Sequence, residues 1–270
     1  MAFWVWGVYD LFPNGIIRSI RSANALSETA TAALLGSAFI FCMIVSYLLG
    51  SINWALVISR IFFHDDVREH GSGNAGTTNV LRTYGKKAAI FTFLGDGLKG
   101  VVAILITCAV FGAPMSDYEY LYLITAAYFA AFFAVLGHVF PCFAKFRGGK
   151  GFATTAFAIL ALNPGIFTVL AAGFLTIVLG SHFVSLGSVV TVCLYPIMLS
   201  SFDSASGRHL GIHVLISMFI GALVVWSHRA NLVRLWNHTE SKTYFFKKKE
   251  KKQAAVPDAE EAASAVAEEE

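Results

Sequence analysis

Charge is scarce in this sequence. Lys, Arg, Asp and Glu make up only 14% of its 270 residues, while hydrophobic side chains make up 56%. A soluble domain usually carries about a quarter charged residues, so the composition argues against a soluble globule. The net charge of +3 is small, and no broad basic face suggests a nucleic-acid partner. Cysteine is also rare. Cys42, Cys108, Cys142 and Cys193 are far apart with no CxxC spacing, which excludes a disulfide framework and leaves no zinc pattern. No metal or cofactor is expected. Met1 to Phe12 has no basic residue ahead of it, unlike a cleavable signal peptide. Phe3, Trp4, Trp6 and Tyr9 suit a segment lying at a membrane interface.

What fills the chain instead is apolar runs of bilayer length. They fall at about 32–62, 87–113, 119–138, 151–163, 165–181, 185–201 and 210–227. The expected fold is all-α: a polytopic membrane protein with about seven transmembrane helices. Residues 1–30 form an N-terminal interfacial extension, 31–244 the membrane domain, and 245–270 a charged tail whose composition suits disorder. Lys and Arg set the orientation. Arg60, Arg68, Arg82, Lys86 and Lys87 follow the first run; Lys145, Arg147 and Lys150 follow the third; Arg229, Arg234, Lys242 and Lys247–Lys249 follow the last. The loop after the second run has no Lys or Arg. This alternation puts the N-terminus outside and the C-terminus in the cytoplasm, with Arg18 and Arg21 as mild exceptions.

The polar motifs gather in the basic loops. Arg68 leads into Gly71-Ser72-Gly73-Asn74-Ala75-Gly76-Thr77-Thr78-Asn79, where glycines let backbone amides approach an anion and the side chains add donors. Arg68 and Arg82 flank this loop and suit phosphate oxygens. Gly148-Gly149-Lys150-Gly151 sets a Lys among flexible amides at a helix start, a second anion site. It lacks the Walker A order, so ATP hydrolysis is not expected. Ser185 and Ser188 share a helix face, as do His228 and Asn231; capping and packing also account for serines at such a position. Gly50-Ser51-Ile52-Asn53 interrupts the first run. Asp96 and Lys99, spaced i,i+3 inside the second, read as a mutual ion pair, since charge at membrane depth needs a partner.

Together these pieces resemble the bacterial acyl-phosphate:glycerol-3-phosphate acyltransferase family. The matching segments run from Gly50-Ser51-Ile52 through the 71–82 loop, Asp96–Gly100, Gly137–Gly151 and Ser185–Ser188 to His228-Arg229 with Asn231. The resemblance implies a seven-helix enzyme of the bacterial inner membrane with its active site on the cytoplasmic side. It implies transfer of a fatty acyl group from acyl phosphate to the 1-hydroxyl of glycerol 3-phosphate, giving lysophosphatidic acid for phospholipid synthesis among membrane lipids. Carried over, Ser51, Arg68, Lys150, Ser188, His228 and Asn231 line the site. Either His228 or the donor's own phosphate takes the hydroxyl proton. Two departures stand out: Asn53 replaces the usual Pro, and Gly187 the usual Ser.

An anion transporter or channel is the rival reading, but it predicts ionisable groups deep in several spans and related halves. Only Asp96 and Lys99 lie at depth. An acyltransferase with a His-x4-Asp pair is excluded, because none of the eight histidines has Asp five positions later.

Overall fold

The structure, a computed structural model, describes residues 11–24, 26–114, 117–205 and 211–243. The expectations for Phe3, Trp4, Trp6 and Tyr9 and for the tail beyond residue 243 lie outside these. Among the described residues all regular structure is helical, in the order α1 (Ile16–Ala23), α2 (Glu28–Ser51), α3 (Trp54–Phe62), α4 (Thr77–Tyr84), α5 (Lys86–Phe111), α6 (Asp117–Val139), α7 (Phe152–Leu162), α8 (Pro164–Ser181), α9 (Val184–Ala205), α10 (Gly211–Ser227) and α11 (Arg229–Trp236). The all-helical membrane fold expected from composition is what the chain adopts.

α6 is the central helix. Its Ala126, Ala127, Ala130, Ala131 and Ala134 are buried, and small residues let neighbouring backbones close in where lipid offers no hydrophobic drive. At Gly50 of α2 an added Cβ would strike the Ala134 carbonyl, and at Gly137 of α6 it would strike that of Tyr47. The outer faces stay apolar: Ile40, Phe41, Ile44 and Leu48 of α2 are exposed, as lipid contact requires.

Two spans differ from the sequence expectation. The run 32–62 is two helices, broken at Ile52–Asn53. Asn53 caps α3, its Oδ1 accepting from Leu56 N–H at 3.0 Å, while its Nδ2 donates to Ala75 O at 3.1 Å. A proline could do neither, so the departure at this position adds a tether to the 71–79 loop. The run 151–163 forms an 11-residue helix, about 16 Å long at 1.5 Å per residue and half of a bilayer core of about 30 Å. At its end Asn163 Nδ2 donates to the hydroxyls of Tyr128 and Tyr195 at 2.7 and 3.0 Å, and both tyrosines sit near the middle of their helices. Among the described residues five helices are long and apolar enough to cross a membrane, or six when α10 and α11, bent by 59°, count as one span.

The two ends of the bundle are chemically unlike. At one, α1 packs Ile17 into the core. Arg18 donates to the carbonyls of Pro13 and Ala113, and Arg21 pairs with Glu119 at 2.6 Å. These two arginines therefore serve protein partners. The other end carries the loops between α2 and α5, α6 and α7, and α8 and α9, together with α11.

Candidate active site

The loop after α3 is organised by Asn79. This buried amide donates from Nδ2 to Val67 O and His70 O at 2.8 and 2.9 Å, and its Oδ1 accepts from Ser72 N–H at 3.0 Å. The chain reverses beside it because Gly71 and Gly73 take φ of +57° and +68°, a region open to glycine. An added Cβ at Gly71 would meet Asn79 Oδ1. Asn79 thus shapes the loop, leaving Ser72 exposed and Asn74 and Thr78 half-buried on its surface. Arg68 forms a two-pronged pair with Asp66, Nε to Oδ1 at 2.9 Å and Nη2 to Oδ2 at 2.6 Å. The guanidinium holds the Asp66 carboxyl well below the usual carboxylate range. Arg68 Nη1 points at the carbonyls of Ala144 and Arg147, at 3.4 and 3.5 Å, so it faces the loop that carries Lys150.

That loop is drawn tight against α6. Gly148 N–H donates to Val139 O and Gly149 N–H to His138 O; these two amides are engaged within the chain. Neither position has space for a side chain: a Cβ on Gly148 would strike His138 O, and one on Gly149 would strike the His138 ring and lie 2.7 Å from Ala75 O. The glycines therefore bring Lys150 to the start of α7, where the first N–H groups of a helix lack partners within it. Ser51 is buried at the end of α2. Its Oγ donates to Tyr47 O at 2.9 Å and accepts from Cys142 N–H at 3.3 Å, joining the helix break to the same loop.

The third sector gathers around Glu240. After α11 the chain turns back through His238 at φ +56°. The Glu240 carboxylate then accepts from Ser185 Oγ at 2.8 Å, Asn231 Nδ2 at 2.6 Å and Arg234 Nε at 2.7 Å. Despite burial, those donors lower the Glu240 pKa. Asn231 Oδ1 is buried without a partner. Arg82 clips the segment from the other side through Ser241 O at 3.1 Å, and Thr243 N–H donates to His182 O at 2.8 Å. Ser188 bonds back to Val184 O at 2.9 Å, whereas Ser185 reaches across. His228 Nδ1 lies 2.8 Å from Val224 O. A carbonyl only accepts, so Nδ1 carries the hydrogen in the neutral ring and Nε2 keeps its lone pair.

Lys150 belongs to this sector electrostatically. Burial is the main reason its pKa falls to about 8; Glu240 opposes the fall, and Arg234 and Arg82 add to it. Among the described residues this sector thus sets three cations, Lys150, Arg234 and Arg82, against the one Glu240 carboxylate. Glu240 and Arg234 were not among the residues expected to bind substrate, whereas Arg82 was, as a flank of the glycine loop. The only local signal was the i,i+3 spacing of Asn231 and Arg234; the turn that returns Glu240 to α11 has no pattern in the sequence. Gly187 has a packing role: a Cβ there would lie 2.7 Å from Val178 and 2.9 Å from Phe174, so α8 has closed over the missing side chain.

A break carrying Ser51, two glycine loops, a cation cluster and a lone-pair-bearing histidine thus meet at one end of an apolar bundle. The profile of a family described as "Glycerol-3-phosphate acyltransferase" matches residues 40–238. A glycerol-3-phosphate acyltransferase of Clostridioides difficile (strain 630) is 42% identical over 204 residues, covering 76% of this chain and 95% of that protein. One from Syntrophomonas wolfei is 40% identical over 200 residues, covering 74% and 94%. Two crystal structures of PlsY (YgiH), an integral membrane glycerol 3-phosphate acyltransferase, are similar at 33% identity. The glycerol 3-phosphate form has a TM-score of 0.66 over 76% of this chain and 96% of that one, and the lysophosphatidic acid form 0.63 over 76% and 95%. The profile spans the candidate residues from Ser51 to Arg234, relatives and fold agree with it, and the chain belongs to the glycerol-3-phosphate acyltransferase family.

Proposed function

We propose that this protein transfers a fatty acyl group from acyl phosphate to the 1-hydroxyl of glycerol 3-phosphate, at the cytoplasmic face of the bacterial inner membrane. The reaction forms an ester bond from the hydroxyl oxygen to the acyl carbon, breaks the acyl–phosphate bond and releases phosphate. The product is lysophosphatidic acid. The observation that carries this reading is the cation cluster on one carboxylate: Arg234 pairs with Glu240 at 2.7 Å, Arg82 bonds Ser241 O beside it at 3.1 Å, and Lys150 lies within the field of all three charges. A phosphate dianion complements this cluster.

Each residue then has a role. Lys150, with the N–H groups opening α7, holds one phosphate. Arg68 and the loop bearing Gly71, Ser72, Gly73, Asn74, Thr78 and Asn79 take the other. Gly148 and Gly149 let the Lys150 loop lie against His138 and Ala75. His228 Nε2 accepts the hydroxyl proton, and the unpartnered Asn231 Oδ1 orients the substrate. Ser51 fixes the break against Cys142, and Ser185 and Ser188 line the α9 side. Acyl phosphate is already activated, so alignment and charge stabilisation are the main tasks.

The proposed orientation places the N-terminus outside and the C-terminus inside, with the chain passing the bilayer in seven helical segments. The α7–α8 pair leaves this assignment unchanged whether it crosses fully or turns at mid-depth, because both its ends lie on the site side. Purified protein supplied with glycerol 3-phosphate and one donor at a time tests the donor. Lysophosphatidic acid is expected from acyl phosphate; product only from coenzyme A or carrier-protein thioesters would contradict the assignment.

A further inference from the structure

Asp96 and Lys99 are both buried inside the bundle and paired at 3.0 Å. Stability alone does not account for them. An apolar pair of similar volume is often as stable as a buried ion pair, and charge at membrane depth carries a further cost. Their hydrogen bonds show what an apolar pair could not do. Beyond Asp96, the Lys99 ammonium donates to Gly50 O and Ile52 O, each at 2.8 Å. All three of its donors are then engaged. Gly50 and Ile52 flank Ser51, and their carbonyls belong to the end of α2, where the helix itself offers no donor and the bilayer no water. On the other side of the break, Asp96 Oδ1 accepts from Trp54 N–H, the first amide of α3, at 3.2 Å. The pair fastens both stumps of the broken helix.

The same pair extends to the Lys150 loop. His138 Nδ1 lies 3.5 Å from Asp96 Oδ1, a packing contact that stops short of a hydrogen bond. The edge of that ring lies against Gly149, where no Cβ fits, and His138 O accepts from Gly149 N–H at 3.1 Å. Thr154, in the first turn of α7, donates to Asp96 O at 2.7 Å. Residues on both sides of Lys150 therefore rest on the helix segment that carries Asp96.

We propose that Lys99, with Asp96, is a positioning residue that holds Ser51 and the Lys150 loop in one register by fastening the break at Ile52–Asn53 and backing His138. The inference rests on the proposed roles of Ser51 and Lys150 for its catalytic consequence, but not for its structural one.

The test is a double variant, Asp96→Asn with Lys99→Met, which leaves no unpaired buried charge and keeps an acceptor for Trp54 N–H. Hydrogen–deuterium exchange, measured without substrate, is expected to rise in residues 48–56 and 144–152 together. Per folded molecule, KM for glycerol 3-phosphate is expected to rise about tenfold or more and kcat to fall, because misplacing aligned groups costs rate. A lower melting temperature with wild-type exchange in 144–152 and wild-type KM would overturn the proposal. The substrate-free exchange result stands even if the donor assignment fails. If the double variant does not fold, His138→Ala cuts only the link to Gly149. It is expected to raise exchange in 144–152 and not in 48–56; unchanged exchange in 144–152 would overturn the proposal.

Discussion

The Asn231 amide donates to the Glu240 carboxylate across 2.6 Å, and this bond closes the C-terminal segment over the site. Ser185 and Arg234 share the same carboxylate, so three elements meet on one side chain. Removing it strands three donors in a half-buried place, and hydrogen bonds to charged groups contribute about 1.5–3 kcal/mol each. Glu240→Ala is expected to lower the melting temperature by several degrees and to reduce activity, with Glu240→Gln milder on both counts. Thermal melts in detergent check this; a Glu240→Ala protein as stable as wild type would show that the clamp holds nothing.

Lys150 gives a pH dependence with a definite sign. Its pKa in the free protein is lowered to about 8, first by burial. Phosphate binds the charged ammonium, so binding draws the pKa back up and affinity is lost as pH rises through the free-protein value. A plot of kcat/KM for glycerol 3-phosphate is expected to fall above about pH 8, and to be level only down to about pH 7, below which the substrate phosphate begins to lose its dianionic form. Lys150→Arg keeps its charge throughout and is expected to lose that break, at lower absolute activity.

Gly149 tests the close approach in the loop. Gly149→Ala places a methyl group against the His138 ring and the Ala75 carbonyl, so the loop must move. Activity is expected to fall at least about tenfold, in line with the sensitivity of aligned groups to small displacements. Assays on protein with an unchanged helical spectrum separate this from unfolding.

Gly187 tests the packing of α9 against α8. Gly187→Ser is expected to destabilise this protein by about 1–3 kcal/mol, the usual cost of overpacking, because Val178 and Phe174 fill the space. Adding Val178→Ala is expected to recover part of the loss. Denaturation of the two variants and the wild type checks both statements.

The features legible in the sequence are those set by composition and local spacing. Apolar runs gave the helices, and the glycine-rich segments around Gly71 and Gly149 marked the two loops. The Asp96–Lys99 spacing gave the ion pair seen at 3.0 Å. What the spacing hid was long-range placement. Lys99 caps carbonyls 47 and 49 positions away, and Glu240 reaches Ser185 across 55. The loop glycines were expected to free amides for an anion, yet Gly148 and Gly149 use theirs on Val139 and His138. Hydrophobicity also could not separate a helix of full crossing length from α7, which has 11 residues and ends beside the middle of α6 and α9, where Asn163 meets Tyr128 and Tyr195.

The central claim is that the cation cluster around Lys150 holds a substrate phosphate. Isothermal titration of glycerol 3-phosphate into the purified protein, wild type against Lys150→Ala, tests it most directly. Loss of one charge-assisted contact of about 1.5–3 kcal/mol is expected to weaken binding by roughly ten- to a hundredfold, since each 1.4 kcal/mol is tenfold. Equal affinity in the two folded proteins would contradict the claim.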